Sequence, residues 1–137
     1  MNRRLFIACA TAALSAPKLL LADGMGATEY APGLIKEKLA AGETVLVDYS
    51  AAWCSTCKRQ EHILSDLRSS NPEFDKNISF VKVDWDTFSS HEVTTSRKVP
   101  RRSTLILLQG EEELGRIVAG TDSDQIKELL ELALVES

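Results

Sequence analysis

Between residues 44 and 49 the chain is almost uninterruptedly apolar and β-branched, Thr44-Val45-Leu46-Val47-Asp48-Tyr49. That pattern belongs to a strand covered on both faces of a sheet. Ile78 to Asp84 and Thr104 to Leu108 repeat it. Leu114 to Val118 follows after only the turn Gln109-Gly110-Glu111-Glu112, so this fourth strand is expected to pair antiparallel with the third. Helical spacing fills the intervals. Pro32 opens an amphipathic helix that runs to Ala40 and stops at Gly42. Cys54 to Ser69 carries Cys57, Ile63, Leu64 and Leu67 on one side, and Asn71-Pro72 closes it. Thr87 to Arg97 reads as a helix of weaker periodicity, and Asp122 to Val135 presents Ile126, Leu129, Leu130, Leu132, Ala133 and Leu134 as an apolar face. The order α, β, α, β, α, β, β, α requires parallel crossovers and one hairpin. The expected class is therefore α/β, a mixed central β-sheet with helices on both faces.

Composition narrows the functional classes. At 137 residues, 44% hydrophobic and 26% charged, the chain has material for one globular domain. A formal charge of −4, with no aromatic-studded Lys/Arg stripe, argues against nucleic acid as a partner. The first residues follow a different logic: Arg3-Arg4, an alanine-rich apolar run from Leu5 to Ala16, Pro17, and Leu19-Leu20-Leu21-Ala22. This is the order of a signal peptide, and the apolar run is short for a membrane span. Residues 1–22 are read as that peptide, cleaved near Ala22 or closer to Ala16, and 23–137 as the functional domain. Arg3-Arg4-Leu5-Phe6-Ile7 also fits a twin-arginine signal, so two export routes stay open. Cleavage at Ala22 removes Arg3, Arg4 and Lys18 of the 16 basic residues and none of the 20 acids, moving the charge from −4 to −7. Cys9 leaves with it. Cys54 and Cys57 then remain in an oxidising, periplasmic compartment.

The chemistry concentrates in Trp53-Cys54-Ser55-Thr56-Cys57-Lys58, at a strand-to-helix junction. There Cys54 meets unpaired backbone N–H groups and the positive end of the helix dipole, which favour the nucleophilic thiolate. One helical turn brings Cys57 within reach of a mixed disulfide on Cys54, so Cys54 attacks and Cys57 resolves. The alternative, half of a zinc site, lacks ligands: His62 and His91 are the only histidines. No metal and no cofactor is expected.

The segment Val45 to Lys58 resembles the active-site strand and helix start of the thioredoxin family. Lys82-Val83-Asp84-Trp85-Asp86 is similar to the end of that family's central strand, and Ser103 to Leu107 with Gly115 to Gly120 resembles its closing hairpin. The likeness is nearest to exported bacterial thioredoxin-like reductases and to the thioredoxin-like domain of disulfide-interchange proteins. It implies the thioredoxin fold and a thiol–disulfide oxidoreductase acting on disulfide-containing proteins, a monomer recharged by a membrane electron donor. It also implies that Asp48 is a buried acid accepting the proton of Cys57, and that Lys82 faces it. A buried acid has a raised pKa and becomes a base near neutrality, whereas a strand-end acid reaching solvent does not. Trp53, Ser55, Thr56, Arg102, Ser103 and Thr104 would border the cysteines as the substrate-binding surface.

One stretch departs from the family. Ser103, in Val99-Pro100-Arg101-Arg102-Ser103-Thr104, stands where a cis-proline is expected. Either the bond before Ser103 is cis at an energetic cost, or it is trans and the groove differs, or Pro100 is the cis residue and Arg101 to Ser103 form an extra loop. Lys58, Arg59, Arg101 and Arg102 form a cationic rim if that loop faces Cys54, and scattered solvated charges if it does not. Ser55-Thr56 lacks a histidine between the cysteines, which favours a reductant over an oxidant. The competing class is a binding module that docks a partner or carries Cu(I) on the two soft thiolates.

Overall fold

The computed structural model describes residues 26–135, so the expected signal peptide, its cleavage site and Cys9 lie outside the described residues. Five strands form one sheet: β1 (Thr28–Glu29), β2 (Thr44–Ser50), β3 (Ser79–Asp84), β4 (Thr104–Gln109) and β5 (Glu112–Val118). Their order is β1-β3-β2-β4-β5. Strand β3 runs parallel to β1 and β2, and β4 pairs antiparallel with both β2 and β5, giving the mixed sheet the sequence implies. The two-residue edge strand β1 carries no periodicity to read and is an addition to the expected elements.

Side-chain alternation on β2 divides the core. Val45, Val47 and Tyr49 join Ile35, Val93 and Ile106 on one face, beneath α1 (Leu34–Ala40), α4 (Trp85–Phe88) and α5 (Glu92–Thr95). Leu46 joins Leu64, Phe74, Leu105 and Leu130 on the other, beneath α2 (Ser55–Ser70), α3 (Pro72–Asn77) and α6 (Ser123–Glu131). All seven β2 residues are buried, which explains the continuous apolar run. By the same alternation Asp48 falls on the Leu46 face, the side that α2 covers.

Several helix boundaries differ from the sequence reading for local reasons. α1 starts at Leu34 rather than Pro32, because Gly33 sits at φ 90°, outside helical geometry. It ends in a Schellman motif: Gly42 takes φ 91° and the Gly42 and Glu43 N–H groups bond Leu39 and Lys38 carbonyls. Asn71-Pro72 closes α2 and also opens α3, since the Asn71 side chain accepts from Glu73 N–H and seats buried Phe74. The single helix expected over Thr87 to Arg97 is two short ones. Asp84 caps α4 through Thr87 N–H, and His91 Nδ1 caps α5 through Val93 N–H, so the chain restarts between them. α6 begins after its cap Asp122, and a 3-10 turn over Leu132–Leu134 finishes the chain's last apolar stretch.

Tyr49 ties the sheet to α5: its hydroxyl donates to the Val93 carbonyl at 2.6 Å. Tyr49→Phe is expected to lower unfolding free energy by about 1 kcal/mol, the usual net value of such a bond. Urea denaturation checks this, with the far-UV spectrum unchanged.

Candidate active site

Strand β2 delivers the chain to the N-terminus of α2, and Cys54 is the residue that caps it. The Cys54 Sγ accepts the Cys57 backbone N–H at 3.1 Å, so the sulfur itself satisfies a free donor of the first turn. Cys54 and Cys57 are both free thiols, 6% and 1% exposed. Burial alone would raise the Cys54 thiol. Hydrogen bonds from the Cys57 side chain, the Ser103 hydroxyl and the Cys57 N–H, with the nearby Arg102 charge, outweigh it and bring the thiol down to about 7. Burial, reinforced by the Cys54 side chain, pushes Cys57 up instead. The two sulfurs are thereby differentiated into one nucleophile ionised near neutrality and one held as thiol.

Ser103 lies directly against the pair. Its Oγ is 3.2 Å from the Cys54 Sγ and 2.9 Å from the Cys57 Sγ, and the residue is 1% exposed. Neither bond considered for a cis geometry is cis. The chain turns there through a left-handed Ser103 at φ 66° instead, which corrects both cis registers. Three bonds hold it: Ser103 N–H to the Tyr49 carbonyl at 2.7 Å, and Ala119 N–H and Gln60 Nε2 to its own carbonyl at 2.8 and 2.9 Å. Thr104 is corrected as a substrate contact. It is fully buried, and its hydroxyl donates inward to the Arg101 carbonyl at 2.7 Å.

Asp48 is 5% exposed, and burial is the main reason its carboxyl rises from 3.8 to about 7, with Glu61 raising it further, Lys82 lowering it and Cys54 raising it. Lys82 neighbours Asp48 across β2 and β3, but its Nζ is committed to Glu61 Oε2 at 2.9 Å. Lys82 lowers the Asp48 carboxyl, but less than burial and Glu61 raise it. Asp48, Glu61 and Lys82 line a cavity of about 220 Å3 with Leu46, Leu64 and Phe80, and Glu61 and Lys82 reach solvent where Asp48 does not.

Trp53 is 58% exposed beside the cysteines. Its Nε1 donates to the Asp86 carboxylate at 2.9 Å, and the Arg102 guanidinium stacks 4.3 Å above its ring. Ser55 is exposed and Thr56 half-buried on the first turn of α2. Of the four cations in the expected rim, Arg102 is the one that bears on Cys54. His62 pairs with Asp66 on the solvent side of α2, and His91 packs edge-on against Phe88. No group of three or more His, Cys, Asp or Glu gathers as metal ligands among the described residues. Sequence reasoning missed Gln60, Glu61 and Asp86. Each looks like an ordinary surface polar residue, and only Gln60's place three residues after Cys57 put it on the buried side of α2.

An α/β sheet that ends its central strand at a dithiol capping a long helix defines a class of redox protein. Residues 28–132 match the thioredoxin family model, and the chain belongs to the thioredoxin family. Thioredoxin H2-1 of Oryza sativa subsp. japonica is 34% identical over 86 residues, covering 63% of this chain and 57% of that protein. Thioredoxin of Chlamydia trachomatis serovar D is 32% identical over 94 residues, covering 69% and 85%. The chain spans less than two thirds of the length of Thioredoxin H2-1 and of Thioredoxin H5, another rice relative. Among solved structures, Trxlp from Edwardsiella tarda EIB202 superposes with a TM-score of 0.67 at 30% identity, covering 77% of this chain and 98% of that one.

Two predictions follow from the electrostatics. Arg102→Ala removes a charge that lowers Cys54, so the midpoint of Cys54 alkylation against pH is expected to rise above 7, whereas Arg101→Ala leaves it in place. Asp48 has a folded-state value above its unfolded one, so its contribution to stability is full below about pH 4 and is lost as pH rises through 7. Asp48→Asn cannot ionise. It is expected to gain on the parent progressively from pH 4 to 8, by roughly 2 to 4 kcal/mol at the top, measured by urea titration at several pH values. A difference independent of pH would mean that Asp48 ionises at no cost.

Proposed function

We propose that the protein is an exported, periplasmic thiol–disulfide oxidoreductase that reduces disulfides in partner proteins. The Cys54 thiolate attacks a substrate disulfide, forming a mixed disulfide as the first substrate thiolate leaves and takes a proton from water. Cys57 gives its proton to Asp48 and attacks Cys54, closing the Cys54-Cys57 disulfide and releasing the second substrate thiolate. Asp48 suits the base because it titrates near neutrality on the face that α2 covers. Glu61 and Lys82, at the solvent side of the same cavity, offer the proton a way out. The exposed Trp53 face, with Arg102 stacked on it, is the docking surface.

The observation that carries the reducing direction is the moderate lowering of Cys54, to about 7. Strong oxidants stabilise that thiolate far more, to about 3.5, which makes their reduced form the favoured one. In an oxidising compartment the spent disulfide needs a membrane electron donor. Export is supported by the basic, then apolar, then small-residue order of residues 1–22.

Turnover of a protein disulfide by the purified protein, with dithiothreitol as electron source, tests this. Cys54→Ser is expected to abolish turnover, and Cys57→Ser to stop at a mixed disulfide on Cys54. Asp48→Asn is expected to slow release by about tenfold or more near neutral pH, as loss of a general base does. A reduction potential near −270 mV, the thioredoxin value, is expected, and one near −120 mV would reverse the electron flow. Fractionation of expressing cells reads the compartment, with Arg3→Lys and Arg4→Lys separating the two export routes.

A further inference from the structure

We infer that the Ser103 hydroxyl is a one-hydrogen switch between the two sulfurs, a catalytic group held in place by Gln60. This deepens the exchange reading above and rests on it. A serine hydroxyl has a single hydrogen to donate, with lone pairs to accept. Placed 3.2 Å from one sulfur and 2.9 Å from the other, it can donate to one and accept from the other, never donate to both. In the reduced state Ser103 donates its one hydrogen to the Cys54 thiolate, to which the Cys57 S–H also donates.

Attack on the substrate converts the Cys54 anion into a neutral mixed-disulfide sulfur, a poor acceptor. The Ser103 hydrogen is then free to turn to Cys57. As Cys57 passes its proton to Asp48, the same hydroxyl stabilises the new thiolate. That thiolate forms the bond to Cys54 and breaks the bond to the substrate, whose sulfur leaves with the electron pair and is protonated by water. The protein dithiol is oxidised, the substrate disulfide is reduced, and Ser103 regains the proton arrangement it began with when the pair is next reduced.

The placement is over-determined. Ser103 holds a left-handed backbone, uncommon for a residue with a side chain, while three hydrogen bonds fix its amide and carbonyl. Gln60 supplies one of them and is itself fully buried, with a second bond from Nε2 to the Gly120 carbonyl at 2.8 Å. Gln60 and Cys57 are three apart on one face of α2, so the helix that carries the resolving sulfur also positions the hydroxyl against it. Arg102, from the loop before β4, is the charge that acts on Cys54, and Cys54 in turn acts on Asp48 of β2, whose other charged neighbours are Glu61 from α2 and Lys82 from β3. Ser103 contacts both sulfurs directly.

The test uses Ser103→Ala and Ser103→Gly in the full chain. Both remove the hydroxyl, but glycine accepts φ 66° freely and alanine does not, so a backbone effect separates from a hydroxyl effect and the glycine variant folds without strain. Alkylation of Cys54 against pH is expected to shift upward by about one pH unit in both variants, the size of one charged hydrogen bond. Equilibrium with glutathione is expected to move toward the protein disulfide by less than about twofold at pH 7 and about tenfold at pH 9, because only the thiolate loses its donor. Unshifted midpoints in both variants, or a shift in the alanine variant alone, overturn the switch. A parent protein inert toward protein disulfides, with both shifts present, overturns the exchange reading instead.

Discussion

Everything at the site follows from placing an ionisable sulfur where a buried strand ends and a long helix begins. Burial opposes charge on Cys54, and a sulfur left alone there would stay a thiol. The fold surrounds it with donors that exist before any substrate arrives: a backbone N–H of the first helical turn, a neighbouring thiol, a serine hydroxyl and a guanidinium. Preorganised donors in a dry site act at full strength, since none must first be recovered from water.

The same desolvation acts in the same sense on Asp48, with fewer groups to oppose it. There burial keeps a carboxyl protonated near neutrality, and the cation that could reverse this is held by Glu61. The protein carries a destabilising acid in its core, in exchange for a group that titrates where the resolving thiol needs a base. Sulfur and carboxyl answer one physical constraint, and their different partners set different outcomes.

Much of this was legible in the chain. The buried strand and the helix after it announce themselves by apolar continuity and by periodicity, and Cys54 and Cys57 are bound to the helix start by spacing alone. Asp48 stood out because it interrupts an apolar run. The short elements were not legible. β1 has two residues, α3 has Phe74 as its one buried side chain, and α4 and α5 depend on the caps Asp84 and His91 rather than on a repeating face. Thr104 reads as a groove residue by its position in sequence, yet its hydroxyl turns inward to close the loop that precedes β4.

The α/β order, the mixed sheet and the pair of cysteines at a helix start are written locally in the chain, because each rests on short-range periodicity or on residues a few positions apart. Tertiary structure decided how the site works. Ser103 touches sulfurs more than forty residues away in the chain, Gln60 reaches the same distance to hold it, and Glu61 captures a lysine from another element. Such contacts depend on how strands register and which helix face turns inward. No local pattern of polar and apolar residues encodes a hydrogen bond between side chains that meet only after the core has closed.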